Sequence, residues 1–292
     1  MRSWLFVPGD SEKKLEKAPT SGADVLIIDL EDSISPARKA DARAITLAFL
    51  KTFAGASARP RLFVRVNAIA TGLIDADLDA VLEGGPDGIV LPKAEGGTSV
   101  AHLDAKLTAR EALHGLPDGD TAIVALTTET AMALFLAGTY AGASRRLAGL
   151  TWGAEDLSAE LGAETNRDAD GRFLDPYRLA RCLCLAAAAA AQVQAIDTVH
   201  VDFRNEAGLR REAEEARRDG FTGKLAIHPA QVATINAVFT PTREALAKAK
   251  AIIAAFAAEP NAGVVAIDGV MYDRPHLARA QQLVRRAGAA GL

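Results

Sequence analysis

The sequence predicts an α/β protein that folds as a closed (β/α)8 TIM barrel with a C-terminal helical and turn-containing appendage. Eight short runs rich in Val, Ile and Leu recur along the chain. They are apolar throughout, which is typical of parallel strands buried on both faces. Helix-patterned stretches separate them, and 292 residues suffice for one large barrel. The predicted strands are 4–7, 25–29, 62–67, 88–92, 122–127, 147–153, 195–202 and 224–228.

Stretches rich in Ala, Leu, Glu and Arg follow these strands with the periodicity of amphipathic helices. The alternation defines βα units, and eight units in about 230 residues favour a closed barrel. A doubly wound sheet is the alternative, but no Gly-rich dinucleotide-binding fingerprint follows the first strand. The predicted helices are 11–18, 36–52, 73–82, 100–113, 130–141, 176–191 and 205–219.

The C-terminal part of the chain does not continue this pattern, so we predict a barrel domain over 1–235 and an appendage over 236–292. Thr240 and Pro241 are typical of a helix start, and that helix is expected to end at Ala258. A strand (264–267), an Asp268-Gly269 turn and a final helix (275–287) follow. A strand after the eighth unit cannot join a closed barrel. We therefore expect a lid over a pocket mouth, in the same subunit or an adjacent one.

Composition and charge exclude several classes of protein. Lys and Arg total 33 and Asp and Glu total 37, a formal net charge of −4, and 49% of the residues are hydrophobic. This balance argues against disorder, nucleic-acid binding and attraction to an anionic membrane surface. The apolar runs are also too short for a signal peptide or a membrane span. Cys182 and Cys184 are poorly placed for a disulfide or a zinc site, so we expect free thiols and a cytoplasmic location.

The predicted strand ends carry polar residues, and active sites of such barrels lie at the C-terminal ends of the strands. Acids dominate this set, with one arginine and one lysine. Carboxylates with little histidine or cysteine favour a hard cation, Mg²⁺ or Mn²⁺, over zinc. The residues are Asp29, Glu31, Asp32, Arg65, Asn67, Lys93, Glu129, Glu155, Asp156 and His228.

Several of these residues have a purely structural alternative. Asp32 and Asp156 are placed where they would also cap a following helix. Arg65 inside a barrel needs a planar partner, which is either an internal acid such as Glu31 or the carboxylate of a substrate. His228 is expected to be a hydrogen-bonded structural residue.

A series of short motifs runs in order along almost the whole chain. The motifs are Ser3-Trp4-Leu5-Phe6-Val7-Pro8-Gly9, Asp29-Leu30-Glu31-Asp32, Val64-Arg65-Val66-Asn67, Leu91-Pro92-Lys93, Glu129-Thr130, Trp152-Gly153-Ala154-Glu155-Asp156-Leu157, Gly220-Phe221-Thr222-Gly223-Lys224, Ile227-His228-Pro229-Ala230-Gln231, Asp268-Gly269 and Met271-Tyr272-Asp273. Each is weak alone, but the ordered series resembles the citrate lyase β-subunit-like proteins, relatives of malyl-CoA lyase.

The resemblance implies a (β/α)8 barrel, usually trimeric, that binds Mg²⁺ and cleaves or forms a carbon–carbon bond next to an acyl thioester. It implies that Glu129 and Asp156 bind the metal and that Glu129 also contacts the substrate. Arg65 would hold a substrate carboxylate, helped by the backbone amides near Gly153 and Ala154.

The resemblance also implies roles for residues around this centre. Glu31 and Asp32 would hold metal-bound waters and Arg65. Asp273, on the appendage, would approach the site of an adjacent subunit and act in acid–base chemistry. Two positions depart from the family pattern: Val270 replaces a common lysine, and Trp152 replaces a common phenylalanine.

A β-hydroxyacyl thioester that carries a carboxylate, such as citramalyl-, malyl- or citryl-CoA, would suit this site. A divalent cation acidifies the hydroxyl group, and a general base takes its proton as the carbon–carbon bond breaks. The CoA phosphates would need cations, and Lys13 and Lys14 after the first strand are candidates. Their alternative is an ordinary solvated helix face.

We therefore predict a Mg²⁺-dependent carbon–carbon lyase acting on acyl-CoA by retro-Claisen chemistry, as a cytoplasmic homotrimer. Two other functions stay open. One is a CoA-free 2-oxoacid aldolase. The other is a β subunit of a citrate lyase complex, acting on a thioester of an acyl carrier protein.

Overall fold

The computed structural model describes residues 1–56 and 58–289, and in it eight parallel strands form a closed barrel in sequence order. The first and last strands pair and complete the ring. The predicted fold is confirmed. The strands are β1 Ser3–Pro8, β2 Val25–Asp29, β3 Arg61–Arg65, β4 Gly88–Leu91, β5 Ala122–Leu126, β6 Leu147–Thr151, β7 Gln194–Asp197 and β8 Gly223–Ala226.

The strands are continuously apolar because both faces of the barrel wall are buried. Ile27 points into the barrel, where it packs with Trp4 and Phe63, whose rings meet edge to face at 5.1 Å. Its neighbours Leu26 and Ile28 belong to the larger apolar layer between strands and helices. Alternate residues of one strand therefore fill two separate cores.

The same alternation positions the first polar side chains of the site. Asp29 lies two residues beyond Ile27, and Arg65 lies two residues beyond Phe63, so both point towards the barrel interior. The Arg65 guanidinium lies over the Phe6 ring, 4.8 Å from its centroid. A polar layer thus covers the C-terminal end of the inner apolar core.

Helices follow the strands and cover the barrel. Two side-chain caps mark their starts: Thr130 accepts a hydrogen bond from the Ala133 amide at 3.2 Å, and Asn205 accepts one from the Gly208 amide at 2.9 Å. The helices are α1 Glu12–Lys17, α2 Lys39–Thr52, α3 Ile74–Val81, α4 Gly96–His114, α5 Ala131–Leu136, α6 Ala154–Glu160, α7 Asp175–Ala191, α8 Glu206–Asp219 and α9 Val232–Phe239.

The main differences from the predicted elements concern α6, α9 and strand length. The sequence pattern did not indicate α9, α6 begins at Ala154 and thus before Asp156, which was expected to cap it, and β7 ends at Asp197, before the predicted end at residue 202. Helix α9 contains β-branched residues and Asn236, which are poor helix formers, and packing against α8, β1 and β8 stabilises it. The predicted domain boundary at 235/236 falls inside α9, and the division of the chain into a barrel domain and an appendage domain stays a prediction.

Beyond the barrel, the appendage consists of α10 Arg243–Ala258, β9 Val264–Ile267, β10 Val270–Asp273 and α11 Arg274–Ala289. The strand β10 was not predicted; it pairs antiparallel with β9 across the Asp268-Gly269 turn, where both residues have positive φ. The appendage has a small apolar core of its own. None of the helices among the described residues is both long and apolar enough to span a membrane. The lid over an adjacent subunit stays a prediction.

Candidate active site

Arg65 and Asp29 form the base of the candidate site. Arg65 Nε donates to Asp29 Oδ1 at 2.7 Å and Nη2 donates to Oδ2 at 2.8 Å, while Nη1 lies 3.0 Å from Glu31 Oε2. Burial acts to raise the pKa of Asp29, but the guanidinium outweighs it and keeps that pKa below its usual range. Of the two partners considered for Arg65, an internal acid is therefore present. Asp29 accepts two hydrogen bonds from the guanidinium, whereas Glu31 contacts it through one oxygen.

Lys93 connects most of the acids above this pair. It follows β4 with φ of 49°, a left-handed conformation that is uncommon outside glycine. Its Nζ donates to Glu31 Oε1 at 2.6 Å and lies 3.4 Å from Asp32 Oδ2 and 3.2 Å from Asp156 Oδ1. Lys93 thus places one ammonium group among three carboxylates from two strand ends, those of β2 and β6.

Glu129 is a buried carboxylate at the mouth of the barrel, with 3% of its surface exposed. Its Oε2 accepts a hydrogen bond from the Lys93 amide at 2.6 Å. Burial, followed by the nearby charge of Asp156, raises the pKa of Glu129 to about 8. Gly153 allows this close packing, because a Cβ atom there would lie 2.8 Å from Glu129 Cγ.

The capping alternatives do not account for the acids. Thr130 caps α5, so Glu129 is not needed as a cap. Asp156 lies in the first turn of α6 without capping it, and its carboxylate is oriented towards Lys93. Asp32 contacts Lys93 and lies 3.9 Å from Arg65 Nη1. The acids are therefore brought together around one point.

The charge balance of this cluster fits a divalent cation. Five carboxyl groups face three cations, so with all five ionised, as metal binding requires, the formal charge is −2. Among the described residues, no three Asp, Glu, His or Cys side chains converge as a complete ligand set. Two carboxylates with water as the remaining ligands are typical of Mg²⁺. The charged residues are Asp29, Glu31, Asp32, Glu129, Asp156, Arg65, Lys93 and Lys39.

The other predicted site residues occupy more peripheral positions. Gly153 and Ala154 lie at the start of α6 beside Glu129. Lys13 and Lys14 are exposed on α1, which follows β1 and so lies at the same end of the barrel. Their predicted contacts with substrate and CoA stay predictions.

Asp273 ends β10 in the appendage and is half exposed. Its carboxylate pairs with the His276 ring and accepts a hydrogen bond from the His276 amide at 3.3 Å. The structure describes one subunit, so the predicted approach to an adjacent site stays a prediction.

Sequence reasoning recognised Asp29 and Lys93 as strand-end residues but assigned neither of them a role. The role of Asp29 had a signal, because the alternation from Ile27 already turns it into the barrel towards Arg65. The central position of Lys93 depends on its left-handed backbone and on acids that follow β2, β5 and β6. No local pattern showed it.

A closed (β/α)8 barrel with a cluster of acids and a buried guanidinium at its C-terminal mouth defines a class of barrel enzymes that use a divalent cation. The sequence profile of the HpcH/HpaI aldolase/citrate lyase family matches residues 2–229. The chain belongs to that family, and the predicted family relationship is confirmed.

Relatives and solved structures agree over the full chain. The citrate lyase subunit beta of Leuconostoc mesenteroides subsp. cremoris is 35% identical, covering 99% of this chain and 93% of that protein. The mitochondrial citramalyl-CoA lyase of Rattus norvegicus is 34% identical, covering 98% and 86%. The crystal structure of CitE from Mycobacterium tuberculosis in complex with magnesium, acetoacetate and coenzyme A is 35% identical, covers 98% of both chains and gives a TM-score of 0.77.

Proposed function

We propose that this protein is a Mg²⁺-dependent carbon–carbon lyase that cleaves or forms a carboxylate-bearing β-hydroxyacyl-CoA thioester. Citramalyl-, malyl- and citryl-CoA have this chemistry. The observation that carries the proposal is the cluster of five acids and three cations at the barrel mouth, which includes Glu129, Asp156 and Arg65 and has a formal charge of −2 when all its acids are ionised. It offers a place for a divalent cation and a guanidinium for the substrate carboxylate. Full-length relatives named as lyases support the same class.

In this proposal Glu129 and Asp156 hold the cation, and Mn²⁺ is an alternative to Mg²⁺. When bound, the metal polarises the substrate oxygen that changes from hydroxyl to oxo. Glu129 supplies a ligand oxygen because its Oε2 is already oriented by the Lys93 amide, while Oε1 accepts no hydrogen bond from the described residues. The magnesium in the CitE complex supports Mg²⁺ as the cation.

Arg65 orients the substrate. Asp29 and Glu31 fix the plane of the guanidinium, and the N–H groups of Arg65 that face neither acid can donate to a substrate carboxylate. The amides near Gly153 and Ala154 are proposed to bind the same carboxylate. Because Arg65 is preorganised, binding the substrate costs little reorganisation of the site.

The bond-breaking step needs a base and later an acid. The substrate hydroxyl gives its proton to a base, its carbon–oxygen bond becomes a carbonyl, and the electrons of the carbon–carbon bond move to the acyl-thioester fragment as an enolate. Protonation of that enolate carbon releases the acyl-CoA product. We assign this acid–base role to Asp273 of an adjacent subunit in a homotrimer, and assign Glu31 and Asp32 to ordering water at the site.

The CoA moiety is proposed to lie along α1. Lys13 and Lys14 are exposed there and form no ion pair within the described part of the chain, so they are available for phosphate groups. The two cysteines are unpaired, which supports a cytoplasmic location.

A substrate screen tests this function. Wild-type protein with Mg²⁺ is incubated with β-hydroxyacyl-CoA esters, and release of pyruvate, glyoxylate or oxaloacetate is measured. We expect turnover of at least one ester and its loss in Glu129→Ala, together with loss of Mg²⁺ binding by calorimetry. Intact turnover in Glu129→Ala would overturn the site. Absence of CoA binding would favour the aldolase, and co-purification with an acyl carrier protein would favour the citrate lyase subunit.

A further inference from the structure

One cationic side chain at the site has no part in the proposed chemistry. The Lys93 ammonium lies 2.6 Å from Glu31 Oε1, 3.2 Å from Asp156 Oδ1 and 3.4 Å from Asp32 Oδ2. The Lys93 amide donates to Glu129 at 2.6 Å. A single residue therefore contacts both proposed metal ligands, one through its backbone and the other through its side chain.

The backbone of Lys93 is shaped for this double contact. A left-handed conformation at a non-glycine residue is disfavoured, and surrounding contacts must maintain it. Here the amide is held by buried Glu129 and the side chain by the carboxylates. An ammonium is a compact point charge, so it partly replaces a small metal ion electrostatically without copying its geometry.

We propose that Lys93 is a resident counter-cation: in the metal-free protein its ammonium bridges Asp156 to Glu31 and Asp32, and it releases Asp156 when the divalent cation binds. Lys93 is in this sense a positioning residue, which keeps the acids close together before the metal arrives. The inference rests on the proposed metal site. It implies that Lys93 opposes metal binding, because the divalent cation must displace Lys93 from Asp156 and lie near its positive charge.

If Lys93 instead assisted metal binding, removing its charge would change the Mg²⁺ affinity in the opposite direction. If Lys93 served to orient Asp156 as a ligand, removing its charge would leave Asp156 less ordered and weaken Mg²⁺ binding. The sign of the change in Mg²⁺ affinity therefore separates the two roles, without measuring activity.

The test compares Lys93→Met with the wild type after removal of metal by a chelator. Methionine keeps the amide to Glu129 and most of the side-chain length, but has no charge. By calorimetry at low salt we expect the Mg²⁺ Kd to fall by about fivefold or more. The metal-free melting temperature should also fall, because three acids lose their shared cation. An equal or higher Kd, or an unchanged metal-free melting temperature, would overturn the inference.

Three further measurements complete the design. Lys93→Arg retains a charge and should keep the Mg²⁺ Kd within about twofold of the wild type. Lys106→Met, at a surface lysine paired with Asp75 at 2.7 Å, should change neither quantity. If Lys93→Met does not fold, Lys93→Gln takes its place with the same expectations. A wild-type protein that binds no Mg²⁺ would overturn the metal site itself, and this inference with it.

Discussion

Asp29 and Arg65 are direct register partners on β2 and β3, and their side chains form a two-bond pair at 2.7 and 2.8 Å. Both are largely buried, with side-chain exposures of 3% and 11%. The pair therefore links the barrel wall to the floor of the site. It fixes the direction of the guanidinium before any substrate enters.

The first prediction concerns this pair. Asp29→Asn keeps the shape but removes the charge, so a buried guanidinium loses its main partner. Breaking such a pair typically costs about 3–5 kcal/mol, and the remaining contact with Glu31 places the expected loss near 3 kcal/mol. Urea unfolding measures this free energy. Asp41→Asn, which removes the exposed partner of Arg38, is the control and should change stability little. Similar small effects for both variants would contradict a structural role for Asp29.

A second prediction concerns the space beside Glu129. In Gly153→Ala the new Cβ would lie 2.8 Å from Glu129 Cγ and 3.0 Å from Oε1, so the carboxylate must shift. The backbone of Gly153 has φ of −122°, which alanine adopts without strain. We therefore expect folding to be nearly unaffected but Mg²⁺ binding to weaken by about tenfold or more.

The matched control for this substitution is Gly138→Ala. No described atom lies within 4 Å of the added Cβ there, and φ is not positive. It should leave Mg²⁺ affinity unchanged, as calorimetry on both variants will show. Wild-type affinity in Gly153→Ala would mean that Glu129 does not bind the metal in its present position.

The third prediction concerns acid stability. Glu111 is fully buried under the N-terminal end of the barrel and accepts hydrogen bonds from Arg146 at 2.7 Å and from the Gly119 and Thr121 amides at 2.9 Å. Burial acts to raise the pKa of Glu111, but the Arg146 guanidinium and the amides outweigh it and lower it from 4.5 to about 2.

The direction in which stability changes with pH follows from the protonation of Glu111 in the folded and unfolded states. Between pH 4.5 and about 2, Glu111 is protonated in the unfolded chain but stays deprotonated in the folded protein. The free energy of unfolding therefore falls as pH falls. Glu111 contributes about 3 kcal/mol above that window. In Glu111→Gln, the free energy of unfolding should be lower at pH 6 and should decline less steeply below pH 4.5. Denaturant unfolding across this range measures both, and an unchanged slope would refute the assignment.

Much of the architecture follows from local pattern. The apolar run of β2 predicts a strand buried on both faces, and the polar residues after it predict which end carries the site. The set around Glu129, Asp156 and Arg65 was identified because strand ends of a barrel meet at one mouth. These features depend on which residues follow each apolar run, and that information can be read directly from the sequence.

The remainder depends on distant contacts. Lys93 is central because acids from other strand ends surround it. Helix α9 forms despite poor intrinsic propensity because it packs on α8. The strand β10 needs β9 as a partner. Tertiary packing determines these three features, so helix or strand propensity and hydrophobic periodicity alone did not indicate them.

The last prediction concerns Asp273 and the proposed homotrimer. If Asp273 acts in the site of an adjacent subunit, Asp273→Asn and Glu129→Ala each inactivate the enzyme but damage different halves of a shared site. Mixing the two inactive variants at equal amounts, with subunit exchange, should then restore activity. About a quarter of the sites would receive both intact residues if subunits assort at random. Lyase turnover before and after mixing measures the recovery.

The control pairs two variants of the same half-site. Glu129→Ala and Asp156→Ala both alter the mouth of one barrel, so no assortment of their subunits yields a complete site, and no activity should return. Recovery only in the Asp273 mixture establishes action across a subunit boundary. No recovery in either mixture, despite subunit exchange seen by native mass spectrometry, would place Asp273 in the site of its own chain or outside the chemistry altogether.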